Sequence, residues 1–132
     1  MLVSGDSGAL VPVKEDAAML IALYELTSKP GRERDFEKAW AEVTDAIHST
    51  QGSLGSRLHK TGPSGHYIAY AQWPSREVYE AADASRYSEP QQEARTRMKD
   101  AMQSARTIYL MDVCDDRLRS DISPTSRKTR DL

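Results

Sequence analysis

Residues 18 to 26, AMLIALYEL, are apolar at nearly every position and rich in β-formers, which predicts a strand buried on both faces. TSKPG breaks that run. In the following RERDFEKAWAEVTDAIHS the apolar residues Phe36, Trp40, Val43 and Ile47 recur at spacings of four, three and four. This period predicts an amphipathic helix of about five turns, with Trp40 in the middle of its core-facing stripe. After Gln51-Gly52, the segments SLGSRLHK (53–60) and HYIAYAQW (66–73) flank TGPSG, whose glycines and proline suit a tight reversal. They predict an antiparallel hairpin. Pro74 ends its second strand, and Ser75 with Glu77 behind it supplies a helix start, for a short helix to about Ala84. Ser88-Glu89-Pro90-Gln91 repeats the start signal with capping-box spacing, and the helix it opens aligns Ala94, Met98, Ala101 and Ala105 on one face. TIYLMDVC (107–114) predicts a last strand, apolar on both faces and containing Cys114.

The order β-α-β-β-α-α-β predicts an α+β, ferredoxin-like fold: a four-stranded antiparallel sheet with its helices on one face. Strands one, three and four are apolar on both sides, so the face without helices needs cover. A second copy docked there supplies it, which predicts a homodimer. The domain is expected over 18–115, between an N-terminal extension (1–17) and a polar C-terminal tail (116–132) with little to bury.

Composition narrows the partners. At 132 residues and 39% hydrophobic, the chain suits one domain with a modest core. Eighteen basic against twenty acidic residues leave a formal charge of −2, so neither nucleic acid nor an anionic membrane surface is an expected partner. The apolar runs are strand-sized and MLVSGDSGALVPV lacks the basic start of an export signal, which predicts a cytoplasmic protein. Cys114 is the only cysteine, excluding an internal disulfide and any thiolate-cluster metal site. Beside Asp115 and Asp116 it reads as an inert strand residue. There is no His-x-x-x-His, no Glu-x-x-His and no carboxylate cluster on an apolar face, so no metal is expected, and TGPSG has the wrong context for a phosphate cradle.

Few residues remain that could carry chemistry. His59 on the second strand is the candidate base, with a partly exposed strand histidine as the plainer reading. His48 closes the first helix and His66 sits at the hairpin turn. Arg57 shares a face with His59, where it could steady an oxyanion or form an ion pair across a dimer interface. Tyr24, Tyr67, Tyr70 and Tyr109 lie on predicted strands, and a buried tyrosine hydroxyl needs a partner. Trp73 has the parity of Tyr67, Ala69 and Ala71, and Tyr24 alternates with Ala22. Alanines beside large aromatics leave either room for close helix packing or a hollow between sheet and helices. Trp73 therefore either lines a pocket or anchors the core.

From about Met19 to Cys114 the chain resembles the antibiotic biosynthesis monooxygenases, a family of dimeric α+β barrels. The marks are the apolar opening strand followed by KPGRERDFEKAW, then GSLGSRLHK, then YAQWPSREVYEA. The resemblance implies one of several activities: oxidation of polycyclic phenols or simpler quinols without metal or flavin, or, in one branch, binding and opening of haem. That branch works with an asparagine on the first strand, a tryptophan after the third and a histidine on the following helix. Here Trp73 matches the tryptophan, Tyr24 stands near the asparagine position, and SEPQQEARTRM contains no histidine to hold the iron. Many relatives also carry a histidine soon after the tryptophan. In the corresponding YEAADAS the nearest polar residue is Asp83.

Two functions follow. One is a cofactor-independent monooxygenase acting on an aromatic phenol or quinol and dioxygen in a pocket between sheet and helices, with His59, Trp73 and Tyr24 catalytic and Arg57, Tyr67, Tyr70 and Asp83 binding substrate. The other is a non-catalytic dimer that binds a small apolar or aromatic ligand.

Overall fold

A computed structural model describes residues 18–119; the N-terminal extension and the tail from residue 120 lie outside the described residues. The elements are β1 (Leu20–Ser28), α1 (Glu33–Gln51), β2 (Gly55–Lys60), β3 (His66–Trp73), α2 (Arg76–Glu80), a 3-10 turn (Ala84–Arg86), α3 (Glu89–Ala101) and β4 (Met102–Asp112). The strands form one sheet in the order β2-β3-β1-β4, with every neighbouring pair antiparallel. This is the ferredoxin-like topology expected from the element order.

Helix starts follow the local chemistry. The Ser75 hydroxyl accepts from the Val78 N–H, and Ser88 with Gln91 closes the full capping box. Gly52 ends α1 at φ 85°, a left-handed conformation that costs glycine little.

The helix-side face of the sheet is closed. Leu20, Ala22 and Leu26 of β1 and Tyr67, Ala69, Ala71 and Trp73 of β3 are buried there, against Phe36 and other residues of α1. On α1 the buried stripe is Phe36, Ala39, Val43 and Ala46, with Trp40 and Ile47 half-buried at its edges. Trp40 is therefore a flank of the core and not its centre, because the small alanines allow the helix to approach the sheet more closely than its large residues would.

Three expectations are corrected at the C-terminal end. The short helix stops at Glu80, and a separate 3-10 turn capped by Asp83 follows. α3 ends at Ala101, so Ala105 is a strand residue paired with Leu26. The end of β1 takes over the chain there: Lys29 N–H donates to the Ala101 carbonyl at 2.8 Å, and Ser28 pairs with Met102. Finally, the last strand runs from Met102 to Asp112 and not over 107–114; at the sheet edge of the single chain Tyr109 is 61% exposed, with Leu110 and Met111 also exposed. Cys114 lies past the strand's end and is exposed.

Candidate functional site

Cross-strand partners share a face, and the register divides the candidate residues between the two faces. Tyr24 opposes Ala69, and with Trp73 and Tyr67 it points to the helices. Arg57 opposes Tyr70, Tyr70 opposes Leu23, and His59 opposes Ile68, all on the opposite, open face. Within one chain the sheet thus separates His59, Arg57 and Tyr70 from Trp73 and Tyr24.

On the helix side Trp73 is 4% exposed and packs among Leu20, Ala22 and Ala71, with Tyr24, Ile47, Val78 and Tyr79 around it. The Tyr79 ring meets the indole edge-on at 5.4 Å. The Trp73 Nε1–H is buried and has no hydrogen-bond partner among the described residues. Burial, then the hydrogen bond with Tyr79, pushes the Tyr24 hydroxyl far above its ordinary pKa. Burial thus favours the neutral, protonated form of Tyr24.

Tyr67 belongs to a neighbouring cluster. Its ring packs on Phe36 at 5.0 Å and its hydroxyl donates to Glu37 at 2.6 Å; burial and that carboxylate keep it protonated. Asp83 is exposed and caps the 3-10 turn: its carboxylate accepts from the Ser85 N–H, a bond that holds it below the ordinary carboxylate value.

The open face carries two clefts. One, of about 250 Å³, is lined by Leu54, Gly55, Ser56, Arg57, Tyr70 and Gln72. The second, about 370 Å³, shares Tyr70 and Gln72 and is walled by Met19 and the segment from Val113 to Leu118. The His59 Nδ1 lies 2.9 Å from the Ile68 carbonyl, which fixes the ring against its own hairpin. Among the described residues no group of three His, Cys, Asp or Glu side chains is placed to hold a metal ion, and no helix is long and apolar enough to cross a membrane.

Sequence reading missed a polar chain on this face. Glu25 accepts from His66 at 2.7 Å and from Arg106 at 2.8 Å, while Thr61 meets the other nitrogen of His66. The residues lie far apart in the chain, and only the strand register shows that they meet. His66 first, and Arg106 second, hold the Glu25 carboxyl below the ordinary range. The folded carboxylate is then harder to protonate than the unfolded one, so its stabilisation is complete above the ordinary carboxylate pKa and disappears as pH falls through the lowered folded value. Denaturant midpoints measured from about pH 6 down to about pH 3 are expected to fall less steeply for Glu25→Gln than for the parent. Parallel curves would show that the chain contributes nothing.

Residues 19–102 match the sequence model of the antibiotic biosynthesis monooxygenases. No curated protein matches the chain. Among solved structures, SnoaB of Streptomyces nogalater, a cofactor-independent oxygenase, aligns at 13% identity and a TM-score of 0.60, over 78% of this chain and 100% of its own. A Caulobacter crescentus protein classed with the antibiotic biosynthesis monooxygenases aligns at 16% identity and 0.59, over 75% and 92%. One from Bordetella bronchiseptica, classed likewise, aligns at 19% and 0.60, over 74% and 98%. At these identities the structures establish the shared fold, and the match over residues 19–102 establishes the family: the chain belongs to the antibiotic biosynthesis monooxygenases.

Proposed function

We propose that the protein is a cofactor-independent monooxygenase that oxidises an aromatic phenol or quinol with dioxygen, on the helix side of the sheet beside Trp73. One observation carries this reading. The Trp73 Nε1–H is buried without a partner among the described residues, and an unsatisfied buried donor costs about 1–3 kcal/mol. A ligand oxygen placed there would recover that cost. Tyr24, held neutral and packed against the same cluster, supplies a further O–H there.

The chemistry suits such a site. A phenolate is electron-rich enough to reduce dioxygen itself. In the balanced reaction a phenol with a free para carbon takes one oxygen atom there and becomes a quinone, whereas a quinol, whose para carbon is already oxygenated, takes it at a free ring carbon and becomes a hydroxyquinone. In both cases the second oxygen atom leaves as water with the two hydrogens lost by the substrate. The protein's part is to favour the anion with the Trp73 and Tyr24 donors, orient the ring and exclude water. His59 lies across the sheet from this pocket, so if it acts as base it serves a site on the open face, where Arg57 and Tyr70 also lie.

That open face is the proposed dimer interface. It presents Leu23, Ile68, Tyr70, Tyr109 and Met111 beside the polar chain of Glu25, His66 and Arg106, a composition suited to association. The cleft at Arg57, Tyr70 and Gln72 supports the second reading, a binding module for a small aromatic ligand with an anionic group facing Arg57.

An oxygen electrode with a panel of naphthols and hydroquinones separates the two. Protein-dependent oxygen uptake with matching quinone formation is expected for at least one substrate. Saturable binding of several with no uptake above the spontaneous rate would replace the enzyme with the binding module.

A further inference from the structure

Val78 and Tyr79, in the segment 75–87, cover the buried Trp73 cluster, and this roof is weakly anchored. Neither α2 nor the 3-10 turn contains a buried residue; Val78 and Tyr79 only half-bury themselves against the Trp73 cluster. A segment with so little apolar burial opens locally unless polar contacts hold it.

Gln51, the last residue of α1, provides them. It is a polar side chain only 6% exposed, and nearly all its hydrogen-bonding capacity goes to the roof. Its Oε1 accepts from the Asp83 N–H at 2.9 Å, and its Nε2 donates to the Asp83 carbonyl at 2.8 Å. The paired exchange resembles that between two antiparallel strand residues. Oε1 also accepts from Arg86 at 3.1 Å, and Nε2 donates to Thr50 at 2.9 Å. From the other side, Gln92 of α3 donates to the Ala84 carbonyl at 2.7 Å. The α1 terminus runs close beneath the roof, since a Cβ on Gly52 would lie 3.5 Å from Val78.

We infer that Gln51 is a positioning residue, a side-chain latch that keeps residues 75–87 shut over Trp73 and whose release admits and discharges the ligand. This rests on reading the Trp73 pocket as the binding site. Closure removes water from the donors, and opening gives the buried indole N–H its route to a ligand. Gln51 touches neither Trp73 nor the ligand in this scheme; it acts through Asp83 and Arg86. Asp83 thereby gains a role through its backbone, in place of the side-chain role suggested by its position in YEAADAS.

The test needs no substrate. In a Trp40→Phe background, where Trp73 is the sole indole, acrylamide quenching reports access to the pocket, while hydrogen exchange maps opening along the chain. Gln51→Ala is expected to accelerate exchange of the amides in residues 76–87 at least about tenfold and to raise Trp73 quenching in step, with β1 and β3 amides unchanged. Gln51→Glu keeps an acceptor for the Asp83 N–H and Arg86 but sets a carboxylate oxygen against the Asp83 carbonyl. It is expected to show the same local pattern, and it decides the matter if Gln51→Ala does not fold. A tie that merely braces the loop would speed exchange without exposing Trp73. That result, unchanged exchange, or a uniform loss of protection across the sheet would overturn the latch. Absence of oxygen uptake would remove the proposed reaction and leave this readout intact.

Discussion

Truncating Trp73 to alanine is expected to cost about 3–5 kcal/mol, a large share of the roughly 5–15 kcal/mol that holds a domain folded, because the side chain is 4% exposed and packs among Leu20, Ala22, Ala71, Val78 and Tyr79. Trp73→Phe is expected to behave differently. It keeps an aromatic ring against Tyr79 and deletes an N–H that no group among the described residues satisfies, so the lost volume is partly offset by removal of an unpaired buried donor. Its stability should fall by no more than about 1.5 kcal/mol. Its kcat/KM on a hydroquinone should fall about tenfold to a hundredfold, the worth of one hydrogen bond to a charged acceptor. Urea unfolding and oxygen uptake on the same preparations check both halves. A large loss of stability in Trp73→Phe with unchanged turnover would make Trp73 a core anchor only.

The second large effect concerns the open face. The protein is expected to scatter light as twice the 14.8 kDa chain at micromolar concentration. Leu23 lies between Tyr70 and Tyr109 in the sheet, so Leu23→Glu would bury one carboxylate per copy in an otherwise apolar interface centre. Loss of at least about a thousandfold in dimer affinity follows from such uncompensated charges. A parent protein that stays monomeric and resists denaturation would show that this face needs no cover, and a dimer untouched by Leu23→Glu would place the interface elsewhere.

The fold was legible because it rests on local signals. The period of Phe36, Trp40, Val43 and Ile47, the turn TGPSG, and the caps at Ser75 and Ser88 each set an element in nearly the observed place. Misplacement occurred where tertiary pairing overrode local pattern. Ala105 continues a helical face by spacing, but the end of β1 draws the chain into β4 at Met102. The apolar run TIYLMDVC likewise misplaced the last strand, whose span from Met102 to Asp112 is set by its pairing with β1.

The candidate site was legible only by parity. Alternation correctly grouped Trp73 with Tyr67, Ala69 and Ala71, and Arg57 with His59. It could not say that these groups fall on opposite faces, because that depends on the register between β2, β3 and β1. Gln51 was invisible for a related reason: its partner Asp83 is 32 residues away, and the contact is to backbone atoms that carry no sequence signature. The Glu25, His66 and Arg106 chain spans still longer separations.

The central claim is that a ligand meets the indole N–H of Trp73 on the helix side of the sheet. In the Trp40→Phe variant labelled with nitrogen-15, a single indole N–H resonance remains, and 1,4-dihydroxynaphthalene can be added without oxygen so that no turnover occurs. The account predicts that this resonance moves downfield and saturates as the unpaired donor of Trp73 gains an acceptor, with amides of residues 76–87 shifting alongside it. An indole resonance that stays fixed while the amides of Gly55, Arg57, Tyr70 and Gln72 move would contradict it, and would place the ligand in the open-face cleft instead.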